Sequence, residues 1–177
     1  MKINYFPNIF ATALIISSSQ SLIIPMIVKK EMAIQIFEQA VPILRWLGIK
    51  VLELEDGYCK MLFPFREEVL GDVRSRRWHG GMVATALDSV GGAAAATMLT
   101  SWEDKLATID LRVDYLRGTT PEDLVVIGKV IRSGNRIIAC DMEAWQENEQ
   151  KLVSEGRAMF SAYRKEGEKG EFEANGG

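Results

Sequence analysis

The chain has 177 residues, 47% of them hydrophobic and 25% charged, and its formal net charge is −3. This length predicts one domain, and the apolar fraction excludes a wholly disordered chain. The balance of charge argues against a nucleic-acid partner, since such proteins usually carry a basic excess. Two cysteines, Cys59 and Cys140, and a single histidine, His79, exclude a disulfide framework and a two-histidine zinc motif. We therefore expect reduced thiols and no metal site.

Residues 1–31 form an extension that precedes the predicted domain. Residues 3–28 carry no charge, and an apolar stretch near their start resembles the core of a signal peptide. Prolines and a Ser/Gln patch interrupt the run, so it falls short of a membrane-spanning helix. We favour translation that starts at Met26 or Met32, or else an unstructured segment; the alternatives are an export signal within residues 1–21 and a membrane anchor. Without export, we expect a cytoplasmic protein and no membrane partner.

The domain predicted for residues 32–164 opens with an amphipathic helix. Apolar residues in the range 34–47 recur at helical intervals, with Pro42 as a kink or break and Gly48 at the end of the helix. The next predicted elements are two short strands and a charged loop, at 50–54, 58–65 and 66–78. After the domain, the charged and Gly-rich tail 165–177 is expected to be disordered.

Residues 82–99 are the most unusual segment, because they are apolar or small on nearly every side. A helix without a polar face is buried on all sides, and Asp88 within it argues against a membrane helix. Four strands follow, near 108–115, 124–132, 136–145 and 152–163. Consecutive strands with short turns predict an antiparallel sheet, and such a sheet around one apolar helix is an α+β fold.

The candidate chemistry lies where the charged loop enters this helix. His79, Gly80 and Gly81 precede the helix, and Asp88 follows on nearly the same face as Gly81, about 10 Å further along. The N–H groups of a first helical turn are unpaired, so they suit a carbonyl oxygen that gains negative charge. A carboxylate buried in an apolar helix is costly unless it is paired or useful. The alternative is a structural carboxylate after a tight turn, with His79 as a structural hydrogen-bonding residue.

Two segments resemble a known family. Residues 78–88 resemble the His-Gly-Gly signature with a following acid of the hotdog-fold thioesterases, specifically the acyl-CoA thioesterases of the phenylacetic-acid-pathway type. Residues 107–117 resemble that family's strand ending in Tyr-Leu-Arg. The resemblance covers about residues 33–164 in element order. It implies the hotdog fold, in which an antiparallel sheet wraps around a central buried helix.

The resemblance also implies roles for the motif residues. Asp88 would attack the thioester or activate water, and the Gly81 N–H, with Gly80 nearby, would polarise the thioester carbonyl. His79 would shape the entry to the helix. A homodimer, or a tetramer of two dimers, is implied as well, with each site combining the helix start of one subunit and the acid of another. Within one helix, Gly81 and Asp88 lie too far apart to share one carbonyl.

Two further positions bear on the implied site. Thr108 stands where the family often carries Ser or Thr near the site, but strand alternation places it on the face opposite Ile109 and Leu111. Many relatives carry a polar residue six positions before the motif histidine, and this chain has Val73 there. The departure leaves the predicted fold intact and bears on catalysis alone.

Four arginines near the candidate site raise the question of a coenzyme A site, whose phosphates suit guanidinium geometry. They are Arg74, Arg76, Arg77 and Arg117. The alternative, which we favour for the first three, is a solvated loop whose charge is balanced by Glu67, Glu68 and Asp72.

The sequence therefore predicts an acyl-CoA thioesterase that hydrolyses a small or medium acyl-CoA. Coenzyme A enters as part of the substrate, and no further cofactor is expected. Two alternatives stay open. One is a hotdog protein that binds acyl ligands without hydrolysing them, which Val73 favours. The other is a membrane-tethered structural protein held by residues 1–31.

Overall fold

The computed structural model describes residues 30–101 and 103–164. The predicted tail 165–177 and all but the last two residues of the predicted extension 1–31 lie outside the described residues. Within those residues, the predicted broken helix, two strands, second helix and four strands follow one another as expected. The prediction of a plain loop at 66–78 is wrong in part, because this segment contains a 3-10 turn and two short strands.

The opening helix is interrupted where the sequence predicts it. Helix α1 covers residues 30–35 and continues as a π-helical turn, Ile36–Ala40. Val41 is extended, and α2, Pro42–Leu47, begins on the proline because a missing N–H costs nothing at the first helical position. Gly48 follows with φ of 70°, a left-handed conformation that ends the helix.

Six strands form one antiparallel sheet. These six are β1 Lys50–Glu55, β2 Tyr58–Phe63, β5 Lys105–Tyr115, β6 Leu124–Ser133, β7 Ile137–Gln146 and β8 Lys151–Tyr163. A separate small hairpin consists of β3 Leu70–Asp72 and β4 Arg77–Trp78. The sheet order is β1-β2-β6-β7-β8-β5, so β1 and β5 are its edges. Strands β3 and β4 pair with each other inside the segment predicted as a loop. The buried side chains of Val69 and Trp78 anchor this hairpin. The sequence does not predict the hairpin, because two isolated apolar residues form no periodic pattern.

Helix α3, Gly80–Ala96, packs against β2, β5, β6, β7 and β8. The predicted buried helix is confirmed, although it starts two residues earlier than predicted because the two glycines form its first turn. Its buried residues are Val83, Ala86, Leu87, Val90, Gly91, Ala93, Ala94 and Ala95. Together with side chains such as Phe63, Leu124 and Phe160 they make the core. Among the described residues, no helix is long and apolar enough to span a membrane.

The edge strand β5 contains a bulge that changes which side chains face the helix. In the pairing with β8, Thr108 is opposite Phe160 and Leu111 is opposite Ala158, with Ile109 as the extra residue. The predicted clean alternation of β5 is therefore wrong at this point. Because one inserted residue shifts the period, Thr108 shares a face with Leu111, and Ile109 is 55% exposed.

Both cysteines are free and buried, as expected of reduced thiols. Burial raises the pKa of Cys59 to about 12, and burial with the nearby Asp141 carboxylate raises the pKa of Cys140 to about 12. The raised pKa values favour the protonated thiol at neutral pH, and burial shields both groups from solvent.

Candidate active site

The entry to α3 is held from two directions. The His79 N–H donates to the Val69 carbonyl at 2.7 Å, and a Cβ atom at Gly71 would lie only 2.6 Å from His79 Cα. The buried Trp78 donates from Nε1 to the Glu122 carbonyl at 3.0 Å. The hairpin β3–β4 and the β5–β6 loop thus fix the position of the first helical turn.

His79 is the N-cap of α3. Its Nδ1 accepts the Gly81 N–H at 3.0 Å, which requires this nitrogen to be unprotonated. The His79 carbonyl accepts the N–H groups of Met82 at 2.9 Å and Val83 at 3.2 Å. No hydrogen bond among the described residues uses the Gly80 N–H. The helix start therefore offers one free donor, and a second donor whose partner is the neighbouring imidazole.

Asp88 faces Thr108 across the gap between α3 and β5. The Thr108 hydroxyl donates to Asp88 Oδ1 at 2.9 Å, a contact that the bulge at Ile109 makes available. The expectation of a fully buried carboxylate is wrong: Asp88 is half-buried, because it lies on the side of α3 nearest the edge of the sheet. Its Oδ2 has no hydrogen-bond partner among the described residues, so this oxygen is free to accept a proton from a bound molecule.

The structure separates the four arginines. Arg77 and Arg117 line an open cleft of about 280 Å³ beside the start of α3, together with Gly80 and Tyr115. Arg117 also donates from Nη1 to the Leu152 carbonyl at 2.8 Å. On the preceding loop, Arg76 pairs with Glu67, and the Arg74 N–H donates to Asp72 Oδ1. The solvated-loop interpretation therefore describes Arg74 and Arg76 well, while Arg77 and Arg117 border the helix start.

The tip of the same loop lies in solvent. Val73 is 81% exposed and contributes no polar group. Its neighbours bind one another, since the Asp72 carboxylate accepts hydrogen bonds from the Ser75 hydroxyl and the Arg74 N–H. These hydrogen bonds lower the pKa of the Asp72 carboxyl. The loop tip therefore presents an apolar side chain at the position where the resemblance implies a polar one.

Two residues that support the site are not predicted from the sequence. The Tyr115 hydroxyl donates to the Gly80 carbonyl at 2.7 Å, and the resemblance of 107–117 to a strand ending in Tyr-Leu-Arg was the available signal. Gln146 is 1% exposed, and its amide bonds the backbone of Thr120 and Glu122 in the β5–β6 loop. Nothing in the sequence distinguishes Gln146 from an ordinary residue at a strand end.

A single subunit does not bring the two halves of the implied site together. Gly81 and Asp88 lie on one uninterrupted helix, seven residues and about 10 Å apart. The free oxygen of Asp88 and the N–H groups of the first turn are therefore separate features of the chain surface.

Comparison with known proteins gives the family. A protein of Halobacterium salinarum that is named as an esterase is 31% identical over 134 residues, which cover 69% of this chain and 85% of that protein. The family model described as "Thioesterase superfamily" matches residues 77–153, a range that includes Gly81, Asp88 and Thr108. The chain belongs to the thioesterase superfamily.

Further relatives extend the comparison. The medium/long-chain acyl-CoA thioesterase YigI of Escherichia coli is 28% identical over 138 residues, covering 71% of this chain and 88% of YigI. A crystal structure of a Shewanella oneidensis protein related to the thioesterase superfamily is similar with a TM-score of 0.68. It is 31% identical and covers 78% of this chain and 97% of that one. The predicted hotdog fold is confirmed by these likenesses and by the six-stranded sheet around α3.

Proposed function

We propose that this protein hydrolyses the thioester bond of a small or medium acyl-CoA, with Asp88 as its catalytic carboxylate. The proposal rests on how the Asp88 carboxylate is hydrogen-bonded. One of its oxygens is held by Thr108 at 2.9 Å, and the other is without a partner among the described residues. Membership of the superfamily and the likeness to an acyl-CoA thioesterase of Escherichia coli support the same activity.

Two chemical routes lead from the thioester to the same products, a carboxylic acid and coenzyme A. As a general base, Asp88 takes a proton from water while the water oxygen bonds to the thioester carbon. The tetrahedral intermediate then expels the coenzyme A thiolate, which takes up a proton, and a carboxylic acid is left. As a nucleophile, Asp88 attacks the thioester carbon, the C–S bond breaks with release of the coenzyme A thiolate, and a mixed anhydride of Asp88 and the acyl group remains. Water then hydrolyses the anhydride, which frees the carboxylic acid, restores the Asp88 carboxylate and supplies the proton that the thiolate takes up. In both routes the carbonyl oxygen gains negative charge and needs a donor.

The donor would come from the start of α3. The Gly80 N–H is free among the described residues, and the Gly81 N–H would exchange its bond to His79 Nδ1 for one to the thioester oxygen. His79 therefore keeps the second donor oriented until substrate arrives. The residue acts on the site by shaping the helix entry and takes no proton in this scheme.

Each complete site would combine two subunits. A homodimer, alone or as half of a tetramer, would place the helix start of one subunit near Asp88 of the other. The long edge strand β5 supports this arrangement, because an unpaired edge presents free backbone groups to a second chain.

Coenzyme A would bind along the cleft beside the helix start. Arg77 and Arg117 border that cleft and would face the phosphates, whereas Arg74 and Arg76 would remain part of the solvated loop. Coenzyme A belongs to the substrate, and the proposed chemistry needs no further cofactor. The proposal places this reaction in the cytoplasm, with export as the alternative if residues 1–21 act as a signal peptide.

The first test measures thiol release from acyl-CoAs ranging from acetyl to palmitoyl with the full-length protein. Replacing Asp88→Asn should lower kcat roughly a hundredfold or more, because the amide cannot accept the proton or attack the carbonyl. Asp56→Asn is the matched control, since Asp56 is an exposed carboxylate in the β1–β2 turn. Unchanged turnover in Asp88→Asn would refute the role of Asp88.

A second candidate function is the binding of acyl-CoA without hydrolysis. Two observations favour it: the Gly81 N–H is occupied by His79, and the exposed Val73 offers no polar group. This candidate predicts saturable acyl-CoA binding by calorimetry with no thiol release from any member of the panel. Measurable turnover that disappears in Asp88→Asn would reject it.

A further inference from the structure

The side chain of Tyr115 connects the edge strand to the helix start. Tyr115 is the last residue of β5, and its hydroxyl donates to the Gly80 carbonyl at 2.7 Å. Its ring lies directly against the glycine, since a Cβ atom at Gly80 would be 3.3 Å from both Cζ and the hydroxyl oxygen of the tyrosine. The ring is 57% exposed on its other side and lines the cleft that Arg77 and Arg117 border.

The Gly80 carbonyl and the Gly81 N–H belong to one planar peptide unit. A hydrogen bond donated to the carbonyl draws electron density from the amide, so the N–H at the other end becomes a stronger donor. This peptide is held at both ends, by the Tyr115 hydroxyl at the carbonyl and by His79 Nδ1 at the N–H, 3.0 Å away. Its orientation is therefore fixed before any ligand binds.

We propose that Tyr115 is a positioning residue that orients and polarises the Gly80–Gly81 peptide, so that the Gly81 N–H donates more strongly to an acyl oxygen. The consequence for catalysis rests on the proposed thioesterase function. Polarisation strengthens the hydrogen bond from the Gly81 N–H most when the acyl oxygen carries the negative charge of the transition state. Tyr115 therefore acts on kcat more than on KM.

The test replaces Tyr115→Phe, which keeps the ring beside Gly80 and removes only the hydroxyl. We expect kcat to fall about three- to tenfold, the effect of one neutral hydrogen bond, with KM unchanged within about twofold. Tyr163→Phe is the matched control, because Tyr163 is an exposed tyrosine at the opposite end of the sheet. It should leave kcat and KM as they are in the unmodified protein.

A second readout does not depend on turnover. In protein carrying isotope-labelled glycine, the Gly81 amide resonance is identified as the one that disappears in Gly81→Ala. Tyr115→Phe should move this resonance upfield, since its N–H loses polarisation, and Tyr163→Phe should not. If no acyl-CoA is hydrolysed, the thioesterase function fails, while the resonance still decides whether Tyr115 acts on this peptide.

A merely structural role gives a different pattern. Tyr115→Leu removes both the ring and the hydroxyl, so it measures the packing contribution through the thermal midpoint and kcat. If Tyr115→Phe restores the kcat of the unmodified protein and leaves the Gly81 resonance in place, the ring alone matters and the proposal is overturned. The proposal would also be overturned if Tyr115→Phe lowered kcat, raised KM and lowered the thermal midpoint together, because such a pattern indicates a general structural role.

Discussion

At the scale of single residues, the contact between Thr108 and Asp88 depends on one inserted residue. Alternation along β5 would turn Thr108 away from the helix, and the bulge at Ile109 turns it back. The hydroxyl then holds one carboxylate oxygen and leaves the other to the substrate or to water. Bulges near functional groups commonly re-aim a side chain in this way.

We predict that Thr108→Val lowers kcat about three- to tenfold, because the carboxylate loses one hydrogen bond and with it a fixed orientation. The measurement is steady-state hydrolysis of the best acyl-CoA, with the thermal midpoint recorded alongside. Thr100→Val is the control, since its hydroxyl bonds the carboxylate of Asp104 outside the site at 3.3 Å. Equal activity of the two variants would mean that Thr108 does not orient Asp88.

At the scale of elements, α3 crosses the sheet at very close range. A Cβ atom at Gly128 of β6 would lie 2.8 Å from the Val90 carbonyl oxygen and 3.2 Å from the Gly91 nitrogen. Backbone therefore meets backbone at this crossing, and neither side has a flexible group that could move aside. The depth at which α3 sits against the sheet is set here.

We expect Gly128→Ala to lower the free energy of unfolding by roughly 1–3 kcal/mol, because the added methyl group forces the helix away from the sheet. Urea unfolding measures the change. Gly92→Ala in α3 provides the comparison: its Cβ would lie at an ordinary 3.5 Å from Phe160, and alanine favours a helix. A stability of Gly128→Ala equal to that of Gly92→Ala would contradict the close crossing.

The same strand supplies both ends of the candidate site. β5 carries Thr108, which holds Asp88, and Tyr115, which holds Gly80. The β5–β6 loop is fixed in turn by Gln146, whose buried amide oxygen accepts the Thr120 N–H at 2.8 Å. Arg117 lies in this loop, so the cleft wall and the helix start are parts of one connected structure.

At the scale of the whole molecule, the proposed reaction combines Gly81 of one subunit with Asp88 of another, because the two residues lie about 10 Å apart on one helix. Co-expression of Asp88→Asn and Gly81→Val chains, each with its own purification tag, yields heterodimers with one site intact and one doubly altered. We predict that each homodimer is inactive and that the heterodimer has about half of the unmodified activity per dimer.

Several results would contradict shared sites. An inactive heterodimer would mean that each site lies within one subunit, because both chains would then carry a defect. A monomer in analytical ultracentrifugation at the concentrations used for the assay would contradict the shared site directly. Heterodimers of Asp56→Asn and Asp88→Asn chains serve as the control, since their one functional site should give the same half activity.

The sequence by itself determined the order of elements, the buried helix and the residues of the motif. Period-two runs and an apolar segment without a polar face are local patterns, so they can be read without knowing what packs where. The break at Pro42 and the end at Gly48 were equally local, because a proline's missing N–H and a left-handed glycine act within one turn.

Only the tertiary structure decided which of these residues meet. The strand pairing carries the bulge at Ile109, and that single shift decides whether Thr108 faces Asp88. The tertiary structure likewise brings the Tyr115 hydroxyl to the Gly80 carbonyl. It also places Arg77 and Arg117 along the same cleft, whereas Arg76 pairs with Glu67. Such contacts join residues far apart in the chain, and their geometry depends on register and on the close crossing of α3. A one-residue change in register turns every side chain of a strand over, so no local pattern specifies these contacts.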